Sequence, residues 1–175
     1  LEAGIQATPE LRFEANATFS QNKIAQFDET IYDYDGAYDY ANTVTHENTD
    51  LALSPNVVAM GIATLEAPED SKLSGLSFSI IAKHVGRQFL DNTSNEQRAL
   101  DAFTTLDAVM RAETTLASGQ NVSLSVFGSN LLDAVYSAPG WTYSYRYGGP
   151  GTETTENYVY PQAGRHGFVT LAVGF

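Results

Sequence analysis

Hydrophobic and polar residues alternate with a period of two over most of this chain. From residue 12 to residue 20, Phe13, Ala15, Ala17 and Phe19 interleave with Arg12, Glu14, Asn16, Thr18 and Ser20. Successive side chains of a strand point to opposite faces, so the two sets separate cleanly, whereas a helix would mix them around its cylinder. The same alternation predicts seven strands, over residues 1–7, 11–27, 56–66, 76–90, 103–116, 122–136 and 164–175. In the third, Val58, Met60 and Ile62 share a face; in the fourth, Leu76, Phe78, Ile80 and Ala82 oppose Ser77, Ser79 and Lys83. In the fifth, Leu106, Ala108, Met110 and Ala112 oppose Asp107, Arg111 and Glu113, although Ala, Met, Arg and Glu also favour helix. In the sixth, Val122, Leu124 and Val126 oppose Ser123 and Ser125, and the last carries Val169, Leu171, Val173 and Phe175 on one face.

The connections sort by length. They are short at 8–10, 67–75 and 118–121 and long at 28–54, 91–102 and 137–161, in alternation. With antiparallel neighbours every short turn falls at one end and every long connection at the other, as in transmembrane β-barrels. Several strands also outrun the five or six residues usual in soluble sheets and reach the length, about 9–11 residues, that crosses a bilayer. No run of about 18 apolar residues predicts a transmembrane helix. Backbone groups in lipid must all be paired, so a sheet spans only as a closed barrel with an apolar outer face. A soluble barrel with an apolar interior would show the same alternation. Segregated loop lengths and long strands favour the membrane reading, an all-β, antiparallel transmembrane β-barrel segment. Single-chain barrels usually have an even strand number. The odd count and the opening at Leu1 without Met predict a fragment whose earlier strands are missing, with Phe175 a true C-terminus at the periplasmic rim.

Composition narrows the partners. Net charge is −12, from 21 acidic and 9 basic residues, and no Lys or Arg occurs between Lys23 and Lys72. Nucleic acid needs basic surface to neutralise its phosphates, so it is not an expected partner. The absence of cysteine excludes disulfides, thiolate metal sites and cysteine nucleophiles.

Several segments resemble the C-terminal barrel region of TonB-dependent outer-membrane receptors, particularly those of Bacteroidetes-type bacteria. They are the strand-to-loop stretch from Val85-Gly86-Arg87 through Asn95, Leu100-Asp101-Ala102-Phe103, and Ser129-Asn130-Leu131-Leu132-Asp133-Ala134-Val135-Tyr136. The last is similar to the family's NNLFD..Y ending of the penultimate strand, with Ser129 and Leu132 departing from it. Trp141-Thr142-Tyr143 and Tyr160-Pro161-Gln162-Ala163-Gly164-Arg165 resemble the final loop and the entry to the last strand, and Phe175 resembles the family's aromatic ending. The likeness covers residues 55–175 well and 1–54 only in pattern. It implies that residues 1–175 are the C-terminal part of a plugged barrel of about 22 strands. It further implies energy-coupled uptake of a scarce ligand such as a ferric siderophore, haem, cobalamin or an oligosaccharide. Implied partners are outer-membrane lipid, the barrel-assembly machinery and an inner-membrane energy-coupling complex acting through a plug that this sequence does not contain. The implied location is the bacterial outer membrane. Val169, Leu171, Val173 and Phe175 would form the signal read by the assembly machinery.

The aromatic residues of the long connections are the candidate ligand contacts: Tyr32, Tyr34, Tyr38 and Tyr40 in the first, Trp141, Tyr143 and Tyr145 in the last. Tyrosine offers a broad apolar face with a polar tip, which suits a small molecule or glycan; an interfacial aromatic girdle is the other reading. The first connection also holds Asp28, Glu29, Asp33, Asp35, Asp39, Glu47 and Asp50. Asp33-Tyr34-Asp35-Gly36 lacks the further ligands of a calcium loop, so no metal and no cofactor is expected. His46, His84 and His166 are scattered, and neither HExxH nor GxSxG occurs. The expectation is therefore not an enzyme. The alternatives are a small autonomous barrel serving as anchor or adhesin, and an outer-membrane hydrolase.

Overall fold

The computed structural model describes residues 1–34, 40–148 and 151–174, the side chains of Tyr40 and Ala41 excepted. Tyr38, the Tyr40 side chain and Phe175 therefore lie outside the described residues. The strands are β1 (Glu2–Gln6), β2 (Leu11–Phe19), β3 (Lys23–Asp33), β4 (Tyr40–Asp50), β5 (Val57–Glu66) and β6 (Leu76–Val85). There follow β7 (Gln88–Phe89), a 3-10 turn (Glu96–Arg98), β8 (Ala99–Leu100), β9 (Phe103–Thr115), β10 (Asn121–Ser129), β11 (Ser137–Arg146), β12 (Glu153–Pro161) and β13 (His166–Gly174). Seven strands form one antiparallel sheet in the order β1-β2-β5-β6-β9-β10-β13. These are the seven expected from the alternation, and the helix-prone 103–116 segment is strand.

The ends of three strands differ from expectation. The segment 11–27 breaks after Phe19, where the Ser20 hydroxyl donates to the Pro55 carbonyl (2.9 Å) and the Asn22 amide to Ser54 Oγ (2.8 Å). The segment 76–90 breaks at Gly86, where a Cβ would stand 2.8 Å from Val57. The segment 122–136 ends at Ser129 because Asn130 (φ 49°) and Asp133 (φ 54°) take left-handed conformations. The long connections are also not simple loops. The first contains the β3–β4 hairpin and the last the β11–β12 hairpin, and the two join into a second sheet, β12-β11-β3-β4. Its β11–β3 junction is a short parallel pairing, Tyr145 opposite Tyr32 and Arg146 opposite Asp33.

Register fixes the two faces of the large sheet. One row runs Ile5, Phe13, Ala63, Ile80, Ala108, and another Leu11, Leu65, Phe78, Met110, Val126, Val169. Arg12, Glu14, Lys83, Asp107, Arg111 and Glu113 all fall on the opposite face. Val58, Met60 and Ile62 do share a face, but it is this charged one, with Met60 opposite both Asn16 and Lys83. The apolar face is left open: Phe13, Leu65, Phe78, Ile80, Met110, Val169 and Leu171 are all exposed, Leu171 at 66%. Among the described residues the buried apolar side chains, Ile31, Leu90 and Leu100, all belong to the connections. The core of the chain thus sits beyond one end of the sheet.

Candidate functional site

Alternation inside the connections separates a packed face from an exposed one. In β11, Trp141, Tyr143 and Tyr145 interleave with Thr142, Ser144 and Arg146; in β3, Tyr32 interleaves with Ile31 and Asp33. Ile31, Asp33 and Ser144 are buried, whereas Tyr32, Trp141 and Tyr143 are exposed. The four-stranded sheet therefore lays its polar face on the 86–102 connection and turns its aromatic face outward.

The packed face is organised by Arg98, which is 1% exposed. Local hydrogen bonding sets its position. Thr93 donates from N and Oγ1 to Asp91 Oδ1 (3.1 and 2.6 Å), and Asn95 Oδ1 caps the 3-10 turn at Gln97 N (2.9 Å). The guanidinium then donates to Glu29 of β3 (2.6 Å), to Asp91 of its own connection (2.6 Å) and to the Ser144 hydroxyl of β11. Glu153 of β12 stands 3.6 Å away. Burial works against the guanidinium charge, but its hydrogen bonds to Glu29 and Asp91 outweigh this and raise the pKa of Arg98. One cation thus ties all three long connections together. Glu29 also meets His46 Nε2 at 2.9 Å, and Asn157 donates to the Gln97 carbonyl at 2.6 Å. Gly140 lets β11 approach: a Cβ there would stand 2.7 Å from Leu90 Cδ2 and 2.8 Å from the Tyr158 carbonyl oxygen.

On the exposed face the aromatics form a ladder. Tyr158 stacks on Trp141 (centroids 4.6 Å), Trp141 on Tyr143 (5.9 Å) and Tyr143 on Tyr145 (5.4 Å), and Tyr34 meets Tyr145 edge-on (6.3 Å). Glu156 lies in the middle, accepting from the Tyr145 hydroxyl (3.2 Å) and from that of Tyr158. Both bonds favour the neutral phenol, so Tyr145 and Tyr158 have raised pKa values, chiefly through Glu156. The surface can offer ring edges, free outer ring faces and a carboxylate that holds two phenols in place.

Of the seven aromatic candidates, the structure brings Tyr34, Trp141, Tyr143 and Tyr145 into one ladder and places Tyr32 beside Tyr145 in register. Tyr158, another aromatic of the last connection, completes the ladder, whereas Glu156 and Arg98 were missed. Tyr158 was visible as a strand partner only once 137–161 is read as a hairpin. The acids of the first connection are engaged singly: Asp28 with Thr45, Glu29 with Arg98 and His46, Asp50 with Lys23 and Ser94. Lys23, and then Ser94, hold the Asp50 carboxyl below its usual range against the opposing effect of burial. Asp35 and Asp39 lie outside the described residues. Val169, Leu171 and Val173 are exposed along β13, an edge strand of the large sheet.

The family-like stretch 129–136 also acquires a physical account. Asn130 is 2% exposed. Its side chain donates to the carbonyls of Ala134 (2.9 Å) and Ala163 (3.2 Å) and accepts from Ala134 N (2.9 Å). Asp133 accepts from Arg165 N (2.8 Å), and Tyr136 stacks on Phe103 (4.1 Å). The motif closes the base of the last connection over the sheet.

No protein-family model and no curated protein matches the sequence. Among solved structures, the chain is similar to the ferric yersiniabactin uptake receptor FyuA from Yersinia pestis, with 16% identity and a TM-score of 0.59. The match covers 99% of this chain and 22% of that receptor, so the chain spans about a fifth of its length. At this identity the likeness shows the fold: an all-β, antiparallel, barrel-type segment.

Proposed function

We propose that residues 1–175 are the C-terminal part of the barrel of a TonB-dependent outer-membrane receptor. The observation that carries this reading is the inside-out distribution of the chain. The seven-stranded sheet leaves exposed an apolar face that carries large side chains such as Phe13, Leu65, Phe78, Met110 and Leu171, while among the described residues burial is concentrated in the connections at one end. A face of that size on a soluble protein would mark an interaction surface or an aggregation hazard; against lipid it is the required outer wall. The resemblance in sequence is to Bacteroidetes-type receptors, and the solved neighbour is a ferric-siderophore uptake receptor. Both support uptake of a scarce ligand, a ferric siderophore, haem, cobalamin or an oligosaccharide, by binding and passage without covalent chemistry. In this reading the aromatic ladder faces the ligand and an inner-membrane complex acts through a plug elsewhere in the protein.

The test is to express the full-length protein in a Gram-negative host, fractionate the membranes and follow uptake with and without the proton-motive force. Outer-membrane location with energy-dependent uptake is expected; a soluble protein, or binding without energised uptake, overturns the reading. Removal of Phe175 is expected to lower outer-membrane insertion, and unchanged surface levels would count against Val169, Leu171, Val173 and Phe175 as an assembly signal.

A further inference from the structure

We propose that the outward face of the four-stranded sheet binds an organic cation, a ligand that presents an ammonium or guanidinium group to the aromatic ladder. The inference deepens the reading of that face as the ligand site and rests on it. Register defines the face. Tyr158, Glu156 and Thr154 of β12 lie opposite Trp141, Tyr143 and Tyr145 of β11, and Tyr145 lies opposite Tyr32 of β3. Along β3 and β4 the same face continues through Gln26, Asp28 and Thr30 beside Glu47, Thr45 and Thr43, and the Thr45 hydroxyl donates to Asp28 Oδ1 at 2.7 Å. One half of the face is thus aromatic, and the other carries hydroxyls and carboxylates.

The placement of charge gives this face its sign. The chain has nine Lys and Arg residues, all among the described residues, and none lies on it. Arg12, Lys83 and Arg111 belong to the charged face of the large sheet. Arg98 and Arg146 lie on the packed side of the small one, where they meet Glu29, Asp91 and Glu153. Lys23 pairs with Asp50 and Arg87 with Glu96, while Lys72 and Arg165 precede β6 and β13. Carboxylates, by contrast, reach the outward face from β3, β4 and β12, as Asp28, Glu47 and Glu156. The rings add to the same sign. Their stacks along β11 are offset, with centroids 5.9 and 5.4 Å apart, and Trp141 and Tyr143 stay 47% and 42% exposed. An open ring face is negative and attracts a cation. The Tyr145 and Tyr158 hydroxyls spend their protons on Glu156, so the phenol oxygens offer acceptors to a ligand. The raised pKa values of both phenols report the same negative surroundings. An anion would meet three carboxylates and no cation among the described residues of this face. Ammonium and guanidinium groups carry only donors, and here they find acceptors and ring faces.

Choline and its uncharged isostere dimethylbutanol are the probes, titrated into the full-length protein in uncharged detergent and followed by NMR saturation transfer. Trp141→Ala serves as the blank for partitioning into micelles. Choline is expected to bind at least about fivefold more tightly than dimethylbutanol. Glu156→Gln, which keeps the shape of the side chain, should remove most of that preference. Glu113→Gln, the same change of charge on the large sheet, should leave it intact. Heat-modifiable electrophoretic mobility reports the folding of each variant; should Trp141→Ala not fold, empty micelles replace it as the blank. Equal affinity for the two probes, a preference that survives Glu156→Gln or falls as far in Glu113→Gln, or no choline bound above the blank overturns the cationic class and leaves the uptake reading standing. A protein that holds choline as expected but shows no energised uptake overturns the uptake reading instead.

Discussion

The large sheet and the cluster of connections above it solve opposite problems with the same period-two pattern. In the sheet the apolar set is exposed and the charged set lies on the other face. In the cluster the polar set is buried around Arg98 and the aromatic set is exposed. Alternation therefore tells which residues share a face but not which face is packed. What decides is the neighbour: the sheet's apolar face has none among the described residues, whereas the polar face of the four-stranded sheet has the 86–102 connection.

The sharpest way to break the contrast is Arg98→Ala. Removing one partner from a buried ion pair costs about 3–5 kcal/mol, and here the lower part of that range applies because Asp91 retains 23% side-chain exposure. Hydrogen exchange on the full-length protein should show protection lost in 23–50 and 137–161 and kept in the large sheet; equal loss in both regions would mean that they are one cooperative unit. Met110→Arg probes the other side of the comparison. A charge on the lipid face costs about 2–4 kcal/mol at the midplane, so outer-membrane levels should fall, whereas Val109→Arg, one residue along on the opposite face, should be milder. Equal effects would refute the assignment of faces. Replacing Trp141, Tyr143 and Tyr145 together by alanine should weaken ligand binding at least about tenfold, since even the lower end of about 0.5–1.5 kcal/mol per lost aromatic contact sums over three contacts to that factor; wild-type binding would remove the ladder from the site. The smallest effect is in titration. Tyr145 and Tyr158 have raised pKa values, so their bonds to Glu156 stabilise the fold fully below the ordinary phenol value of about 10 and are lost as pH rises through the raised values. Glu156→Gln should return tyrosinate absorbance toward lower pH, and an unchanged curve would count against the Glu156 contacts.

Much of the large sheet was legible because its signal is local: seven strands, their mutual order and the common face of Arg12, Glu14, Lys83, Asp107, Arg111 and Glu113 follow from alternation and turn spacing. Strand ends were not. Past the rim Ala25 and Phe27 keep the odd positions of Phe13 to Phe19, so one long segment concealed a break and a second strand. The same continuity hid the hairpins of the long connections, where Tyr-rich stretches read as loop. Arg98 was illegible for another reason. Glu29 is 69 residues away and Ser144 46, and nothing near Arg98 in the sequence marks those partners. For Val58, Met60 and Ile62, a strand apolar on both faces gave a correct grouping and no indication of which face it was.

The pairing of β3 with β11 sets an order of events during folding. These strands belong to the first and last long connections, and β5, β6, β9 and β10 lie between them in sequence. Contacts of such separation must await the closure of everything between. The β3–β4 hairpin can form early, but its partner arrives only after four further strands have found their places. A one-residue slip in any of those strands would turn its side chains to the wrong face and carry β11 out of line with Tyr32 and Asp33. The upper sheet, with Arg98 beneath it, then acts as a proofreading step that closes only over a wall already in register.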